Sequence, residues 1–503
     1  MDKKPSKQSS VRVRIAPSPT GPLHIGTART ALSNYLFARK NNGVFILRIE
    51  DTDKKRSQKK WEDDIRDGLQ WLGLQWQEGP AIGGPHGPYR QSEKKEVYTR
   101  YLKKLLKEGK AYYCFCKEED LEAEREEQIK TGKPVHYPGH CRNLSKKEIK
   151  EKRKENPNPV IRFKTPTNQE VVFEDEVRGE VKFNTKELDD FVIAKSLNEP
   201  LYNFAVVIDD YEMKITHVIR GEDHLSNTPK QILIREALGL PALRFGHLPL
   251  VLGESGGKLS KREAITSVTE YRKKGYLPEA LVNFSALLGW HPKDDEEVFS
   301  LKELEEKFSL DRVKKGGAVF DYQKLNWMNG IYIREKTVSN LTNLCIPYLI
   351  KAGYIEPSDD KYKEVESGEE VSRDYLESII SIYQDRLKYL EEIKNLTAFI
   401  FEDINYDKEL LVWKNQDDKE LLKMLKKSYK DLKGIKEWTQ EKITDTVLKE
   451  ANKLNDRGKI LWPLRVALTG KKNSAGPFEV AYLLGQKKAL SRIKKARQKI
   501  KNK

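Results

Sequence analysis

Cysteine is scarce. Only four occur in 503 residues, at positions 114, 116, 141 and 345, which is too few for a disulfide framework in a chain of this length. A reducing, cytoplasmic setting is the expectation. Long apolar runs are also missing, and none approaches the ~20 residues of a membrane-spanning helix, so no membrane association is expected. The opening MDKKPSKQSS lacks the apolar core of a secretory signal and reads as a short basic arm. Acidic residues are absent from Lys487 to Lys503, where nine positions are basic. Leu490, Ile493 and Ala496 recur there at helical spacing, so the stretch reads as a basic amphipathic helix. The net charge of +16 points the same way, toward a polyanion such as nucleic acid.

The length excludes one compact core and predicts three to five domains. Residues 11–16, VRVRIA, alternate apolar and charged and predict a strand. Helical periodicity follows over 27–41 and stops at Asn41-Asn42-Gly43, and VFILRIE (44–50) predicts a second, buried strand. WEDDIRDGLQWLG then reads as a helix. Strand, loop, helix, strand, helix is the pattern of a nucleotide-binding α/β domain. From about 91 to 200 the texture changes to charged helices (92–109, 118–130, 145–154), a Cys/His cluster and short strand-like runs. Apolar strand texture returns at LYNFAVVIDD (201–210) and ITHVIRGEDH (215–224), as if a sheet were interrupted by an insertion and resumed. Beyond about 335 the chain reads as charged helices.

Two loops carry the chemistry. In IAPSPTGPLHIGTAR (15–29), Pro17, Pro19 and Pro22 fix backbone angles, while Gly21 and Gly26 permit close approach. The loop enters a helix N-terminus near Thr27, whose free N–H groups and dipole favour a phosphate, and His24 could donate to it. The second loop, GGKLSKR, has two glycines and then Lys258, Lys261 and Arg262. Alone, such a stretch reads as a solvated loop. Paired with the first, it reads as mobile positive charge closing on a transferring phosphate.

HIGT followed at a distance by KLSKR resembles the HIGH and KMSKS signatures of class I aminoacyl-tRNA synthetases. The longer stretches RIAPSPTGPLHIGTARTAL, RIEDTD, GGPHGPYRQSE, HVIRGEDHLSNTPKQ, KLSKR, FDYQKLNWMNG and PLRVALTG are similar, in order, to bacterial-type glutamyl-tRNA synthetases. They extend from residue 14 to about 485, nearly the whole chain. The resemblance implies an α/β multidomain fold. A Rossmann-like catalytic domain of the HIGH type would be split into 1–90 and 201–263. An inserted α+β acceptor-binding domain would occupy 91–200, a stem-contact domain 264–335, and an all-helical anticodon-binding region 336–503.

The implied reaction has two steps. Glutamate attacks the α-phosphate of ATP and releases pyrophosphate; the terminal ribose of tRNA then attacks the glutamyl-adenylate. By resemblance, His24 and Thr27 sit by the ATP phosphates, and Gly26 lets the nucleotide lie close. Lys258 and Lys261 stabilise the leaving pyrophosphate, with Ser260 and Arg262 in the same ATP-binding loop. Mg²⁺ accompanies the ATP. Glutamate has two carboxylates and one ammonium, so its site needs cations and an anion. Arg14, Ser18, Glu50 and Arg220 all fall near predicted strand ends, where open α/β sheets bind ligands. The resemblance gives Glu50 the α-ammonium, Arg14 a carboxylate, Arg220 the side-chain carboxylate, and Tyr202 a place in the pocket wall. A bidentate Arg is a strong carboxylate holder.

Cys114, Cys116 and Cys141 are soft donors suited to one structural Zn²⁺, which wants four ligands. Some family members use Cys-x-Cys with Tyr-x-x-x-Cys, which here gives Tyr137 as the fourth. His136 and His140 are the other candidates. Cys345 lies in an apolar helical stretch and reads as core. The implied partners are glutamate, ATP and tRNA(Glu), with tRNA(Gln) open as a second substrate, and the family's usual form is a monomer. A non-catalytic tRNA-binding relative would have no need of HIGT, Arg220 and KLSKR together. A glutaminyl enzyme is expected to have an uncharged residue at 220 and a β-rich anticodon region.

Overall fold

The computed structural model describes residues 10–132, 134–257, 259, 265–359 and 361–501. They form two compact units, one of residues up to 272 with 278–325, the other of 273–277 with the chain from 326 onward.

The first unit is built on a sheet whose strands come from distant parts of the chain. Strands β1 (Arg12–Ile15) and β2 (Val44–Leu47) pair in parallel, as do β3 (His217–Gly221) and β4 (Arg244–Leu248). Thr216, just before β3, exchanges hydrogen bonds with the backbone of Arg12 at 2.9 Å in each direction. The two pairs thus lie edge to edge in the order β2-β1-β3-β4, and the strand order reverses between β1 and β3, where ligands enter such folds. Between β1 and β2 runs helix α1 (Ile25–Lys40), whose buried face includes Ile25, Ala28, Ala31, Leu32 and Leu36. Asn34 on that face donates to the Ile219 carbonyl at 3.0 Å and fastens α1 over β3.

LYNFAVVIDD is not the strand that its apolar run suggests. It belongs to helix α2 (Tyr202–Glu212). Phe204 through Asp210 are all buried. A helix apolar on every side shows no 3.6-residue stripe, so a short uninterrupted run does not distinguish it from a buried strand. Helix α3 (Thr228–Leu238) starts with Pro229 in its first turn and ends at Gly239 with φ 69°, the usual proline-in, glycine-out asymmetry.

The insertion folds around an antiparallel sheet of 111–114, 160–163, 192–196 and 199–200. Its Ala111, Ile161, Phe163 and Ile193 share one core with Phe204 and Ile208 of α2 and Leu233 and Ile234 of α3. The insertion therefore adheres to the main sheet's helices through a common apolar layer. A hairpin, Glu170–Asp175 with Gly179–Asn184, continues the main sheet past β4 by a Phe245–Asp175 pairing.

The second unit is mainly helical. Within 336–503, expected to be all-helical, a three-stranded antiparallel sheet of Ile355–Ser358, Lys361–Glu364 and Glu370–Val371 interrupts the helices. The basic C-terminal stretch belongs to the helical segment Pro477–Lys501, broken at Gly485 with φ 71°. Ile493 and Ala496 face inward as their spacing predicts, while Leu490 is half-buried. Part of the basic charge serves the domain itself. Arg492 is buried and donates to the carbonyls of Phe399, Leu468 and Glu402 at 2.6, 2.6 and 3.1 Å, and Lys488 donates to that of Ile400 at 2.6 Å. Cations on otherwise orphaned helix-end carbonyls are stabilising. Cys345 is buried in the helix Val338–Lys351, as core. No helix among the described residues is long and apolar enough to cross a membrane.

One buried charge cluster ties the sheet to α2. Arg48, fully buried just after β2, donates to Asp210 at 2.7 Å and Glu50 at 3.0 Å, with Asp209 at 3.8 Å. Arg14 donates to both oxygens of Asp210 at 3.0 and 3.3 Å. Asp209 also accepts from Gln91, Lys94 and Tyr98 at 2.7 to 3.0 Å. Arg48→Met removes one cation from a set of buried anions, and such a loss costs about 3–5 kcal/mol. Chemical denaturation of the variant is expected to show a loss of that size. A loss below about 1 kcal/mol, the range of an exposed pair, would contradict the buried-network account.

Candidate functional site

A cavity of about 720 Å³ opens at the carboxyl end of the main sheet. Clefts of about 300–1,000 Å³ suit small ligands. Every glutamate-site residue expected from the sequence lines it: Arg14, Ser18, Glu50, Tyr202 and Arg220. So do His24, Gly26 and Thr27 of the first loop. Lys258, Ser260, Lys261 and Arg262 lie outside the described residues. Leu259 is described; it lines the same cavity, and its N–H bonds the Val251 carbonyl at 3.1 Å.

The first loop is held from both sides. The Asp64 carboxylate accepts from the Leu23 N–H at 2.8 Å and from the Thr269 hydroxyl at 2.7 Å. Gly68 on the same helix, Lys59–Trp71, leaves room for Leu23, whose Cδ2 lies 2.8 Å from where a Cβ would stand. His24 is the N-cap of α1. Its Nδ1 accepts the Gly26 N–H at 3.1 Å. The neutral ring therefore carries its proton on Nε2, as a donor. A Cβ at Gly26 would touch only the His24 ring, at 3.4 Å. Packing does not demand glycine there; the space it leaves belongs to the cavity.

The amino-acid end is the more strongly charged. Glu50 lies beside Arg48, whose guanidinium is held in its charged form by Asp210, Glu50 and Asp209 against the cost of full burial. Burial raises the Glu50 carboxyl, and Arg48 and Arg14 oppose that rise. Burial would also raise Asp210, yet Arg14 and Arg48 hold it well below the usual carboxylate range. Across the cavity Arg220 donates to Thr228 Oγ1 at 2.9 Å, His247 Nε2 at 3.2 Å and the Tyr202 hydroxyl at 3.5 Å. The Tyr202 hydroxyl is in turn 3.1 Å from His224 Nδ1. Arg14, Arg220 and Glu50, among the charged residues that line the cavity, match the two carboxylates and one ammonium of an amino acid with an acidic side chain.

Several residues of this site were not singled out from the sequence. Asp223, His224 and Asn227 line the cavity from the segment after β3, inside the quoted HVIRGEDHLSNTPKQ. Thr52 and Asp53 of RIEDTD, and Arg56 just after it, line it too. Asp51 of that motif instead accepts from the N–H and hydroxyl of Ser92 at 2.8 and 2.6 Å, which explains why RIEDTD and GPYRQSE belong together. In GGPHGPYRQSE, Gly84 has φ 141°, and a Cβ there would stand 2.3 Å from the Tyr89 hydroxyl.

A second cluster lies in the insertion. The sulfurs of Cys114, Cys116 and Cys141 all lie within 4.8 Å of one another. Zinc with about 2.3 Å bonds to sulfur makes a tetrahedron with edges of about 3.8 Å, and Cys116 Sγ to Cys141 Sγ is 3.8 Å. The Tyr137 hydroxyl stands 3.3 Å from Cys114 Sγ and 3.7 Å from Cys116 Sγ. His140 is turned to Glu124 at 2.7 Å, and His136 Nδ1 to the Pro134 carbonyl at 3.0 Å. The donor set that fits a metal here is three thiols and the Tyr137 oxygen.

A family described as tRNA synthetases class I (E and Q), catalytic domain, matches residues 10–327, and one described as an anticodon binding domain matches 340–497. A glutamate–tRNA ligase of Carboxydothermus hydrogenoformans is 47% identical over 493 residues, 96% of this chain and 99% of that protein. One from Sulfurihydrogenibium sp. is 45% identical over 486 residues, 96% and 98% of the two chains. The crystal structure of a glutamate tRNA ligase from Elizabethkingia meningosepticum, in complex with its amino acid, aligns with a TM-score of 0.85 at 35% identity, covering 97% of this chain and 99% of that one.

The histidines around β3 make the first unit acid-sensitive. Burial pushes the rings of His217 and His224 down to about 4. Unfolded histidine titrates near ~6.5, so between those values the unfolded chain binds protons that the folded chain refuses. Their stabilisation is complete above about 6.5 and drains as pH falls toward 4. The thermal midpoint is expected to fall across that window, and less steeply in H217N. A flat profile would count against neutral burial of these rings.

Proposed function

This chain belongs to the class I glutamate–tRNA ligases, and from that premise we propose that its 720 Å³ cavity joins L-glutamate to ATP and passes the product to tRNA. The observation that carries the assignment is the meeting, in one cavity, of Glu50, Arg14 and Arg220 with the His24–Thr27 turn. The α-carboxylate of glutamate attacks the α-phosphorus of ATP, a P–O bond forms, and pyrophosphate leaves. The terminal ribose hydroxyl of tRNA then attacks the adenylate carbonyl and AMP leaves.

Each residue's task follows from its chemistry. Glu50 takes the α-ammonium, with Ser18 beside it at the mouth of β1. Arg14, steadied by Asp210, helps hold carboxylate. Arg220 and Tyr202 receive the side-chain carboxylate. His24 presents Nε2–H, and α1 presents its N-terminal amides, to the phosphates; Thr27 and Gly26 form that surface. Lys258 and Lys261 supply charge for the departing pyrophosphate, and Ser260 and Arg262 belong to the same ATP-binding loop. Class I synthetases use ATP with Mg²⁺, which neutralises phosphate charge when bound. The catalytic work is positioning and electrostatics.

The division of labour follows the chain. Residues 1–90 and 201–263 form the catalytic domain, 91–200 receive the acceptor end, 264–335 contact the stem, and 336–503 contact the anticodon side. Zinc held by Cys114, Cys116, Cys141 and Tyr137 is structural and remote from the chemistry. The enzyme works as a cytoplasmic monomer on tRNA(Glu), with tRNA(Gln) as a second acceptor to be tested.

Radiolabelled glutamate, ATP and two separate transcripts test the assignment. Charging of tRNA(Glu) is expected; charging of neither transcript, with a control enzyme active, would overturn the assignment. Charging of tRNA(Gln) as well would mark a relaxed enzyme whose product needs a downstream amidase. Losing a buried, hydrogen-bonded charge partner costs about 2–5 kcal/mol, so Arg220→Ala should raise the glutamate KM about 100-fold. The ATP KM should change little, and equal effects on both would contradict the pocket assignment. Metal analysis should find about one zinc per chain, lost in Cys114→Ser together with thermal stability. A stable, metal-free wild-type protein would refute the zinc site.

A further inference from the structure

Arg14 and Arg48 both spend their buried charge on Asp210. Arg220, equally buried, does not pair with a carboxylate among the described residues. Its hydrogen bonds go to His247 Nε2, Thr228 Oγ1, the Tyr202 hydroxyl and the His224 carbonyl, all neutral. The carboxylate stands one imidazole further back: His247 Nδ1 is 2.6 Å from Asp175 Oδ2, and both side chains are fully buried.

The direction of every proton in this chain follows from the donors. A guanidinium only donates, so His247 Nε2 must offer its lone pair. The Thr228 oxygen, 3.0 Å from the same Nε2, accepts from Arg220 Nη2, and its hydroxyl has the His224 carbonyl at 3.4 Å as an acceptor. The ring proton is therefore on Nδ1 and is given to Asp175. Asp175 is fixed as well. Its Oδ1 accepts the N–H groups of Val177, Arg178 and His247 at 3.0, 2.9 and 3.2 Å. The backbone makes the alignment possible: His247 in β4 sits directly opposite Arg220 in β3, and the hairpin from the insertion brings Asp175 to the other edge of β4.

We propose that Asp175 and His247 are positioning residues that hold Arg220 aimed and un-neutralised, and so set the selection of a carboxylate over an amide at the end of the substrate side chain. The proposal rests on the assignment of Arg220 to that carboxylate. A carboxylate bonded directly to Arg220 would compete with the substrate for its donors. A buried guanidinium with no anion nearby would be costly. The neutral ring keeps a negative charge close without placing it on the nitrogens that the substrate needs. A glutamine amide would turn its own N–H groups toward fixed donors, and that mismatch is a strong basis for rejection.

Asp175→Asn tests the relay. The three backbone N–H groups at Oδ1 hold the amide oxygen there, so the new NH₂ faces His247 Nδ1. The ring proton must then move to Nε2, against Arg220 Nε–H. The glutamate KM should rise about tenfold, and the preference for glutamate over glutamine in kcat/KM should shrink about tenfold, with kcat and the ATP KM changed less than about twofold. In the wild-type full chain, ¹⁵N NMR of His247, assigned with H247Q, should show the neutral Nδ1–H tautomer at pH 7. That measurement decides the question even where D175N fails to fold. A folded D175N enzyme with unchanged glutamate KM and selectivity overturns the proposal, as does a protonated or Nε2–H ring. Arg220→Ala in the same assay separates the two levels. If it raises the glutamate KM while D175N does not, only the relay falls; if it leaves that KM unchanged, the pocket assignment falls with it.

Discussion

The catalytic unit depends on the burial of Arg48. A guanidinium with no access to water must be met by anions, and those anions sit at the end of α2, on Asp209 and Asp210. Once Asp210 is fixed between Arg48 and Arg14, the first strand's arginine is fixed too, and Glu50 is held at the cavity by the other face of the same guanidinium. Asp209 extends the set to Lys94, Gln91 and Tyr98, where the chain leaves for the insertion. The binding surface, the central sheet and the root of the insertion thus share one electrostatic knot. Its cost in desolvation is compensated only when all its members are present.

Much of this was legible in the sequence, for a physical reason. The residues assigned to phosphate cluster in two segments of constrained local composition: three prolines and a histidine before α1, two glycines before three cations. The pairing of distant parts was not legible. Arg48 stands inside VFILRIE, an odd charge in a buried run, yet nothing local says that its partner lies 162 residues away. His247 in RFGHLPL carries no motif around it, and its task emerges only from the register of β3 against β4. The run LYNFAVVIDD hid a helix because it is buried from Phe204 to Asp210 without a polar face. The basic tail read as a nucleic-acid surface also contains Arg492, which is committed to three carbonyls of its own domain. Charge counts alone do not separate these uses.

His24 shows how tightly structure and chemistry are joined here. The same ring closes the first turn of α1 through Nδ1 and, as a direct result, turns a donor outward through Nε2. The helix cap selects the tautomer that the proposed phosphate contact needs. Capping by a side chain normally serves stability alone; here it also orients a proton.

The split sheet has a consequence for how the molecule comes into being. Arg14 and Arg48 emerge from the ribosome far ahead of Asp209 and Asp210, with the whole insertion between them. At about 5–20 residues per second the wait is on the order of 10–30 s. During that interval the first half of the sheet has neither its neighbouring strand nor its counter-charges. The insertion, too, cannot complete its core until α2 arrives to share it. The nascent chain therefore cannot hold a partly built amino-acid site. Recognition of glutamate begins as one event, when the stretch around residues 202–248 closes both the core and the knot of charges.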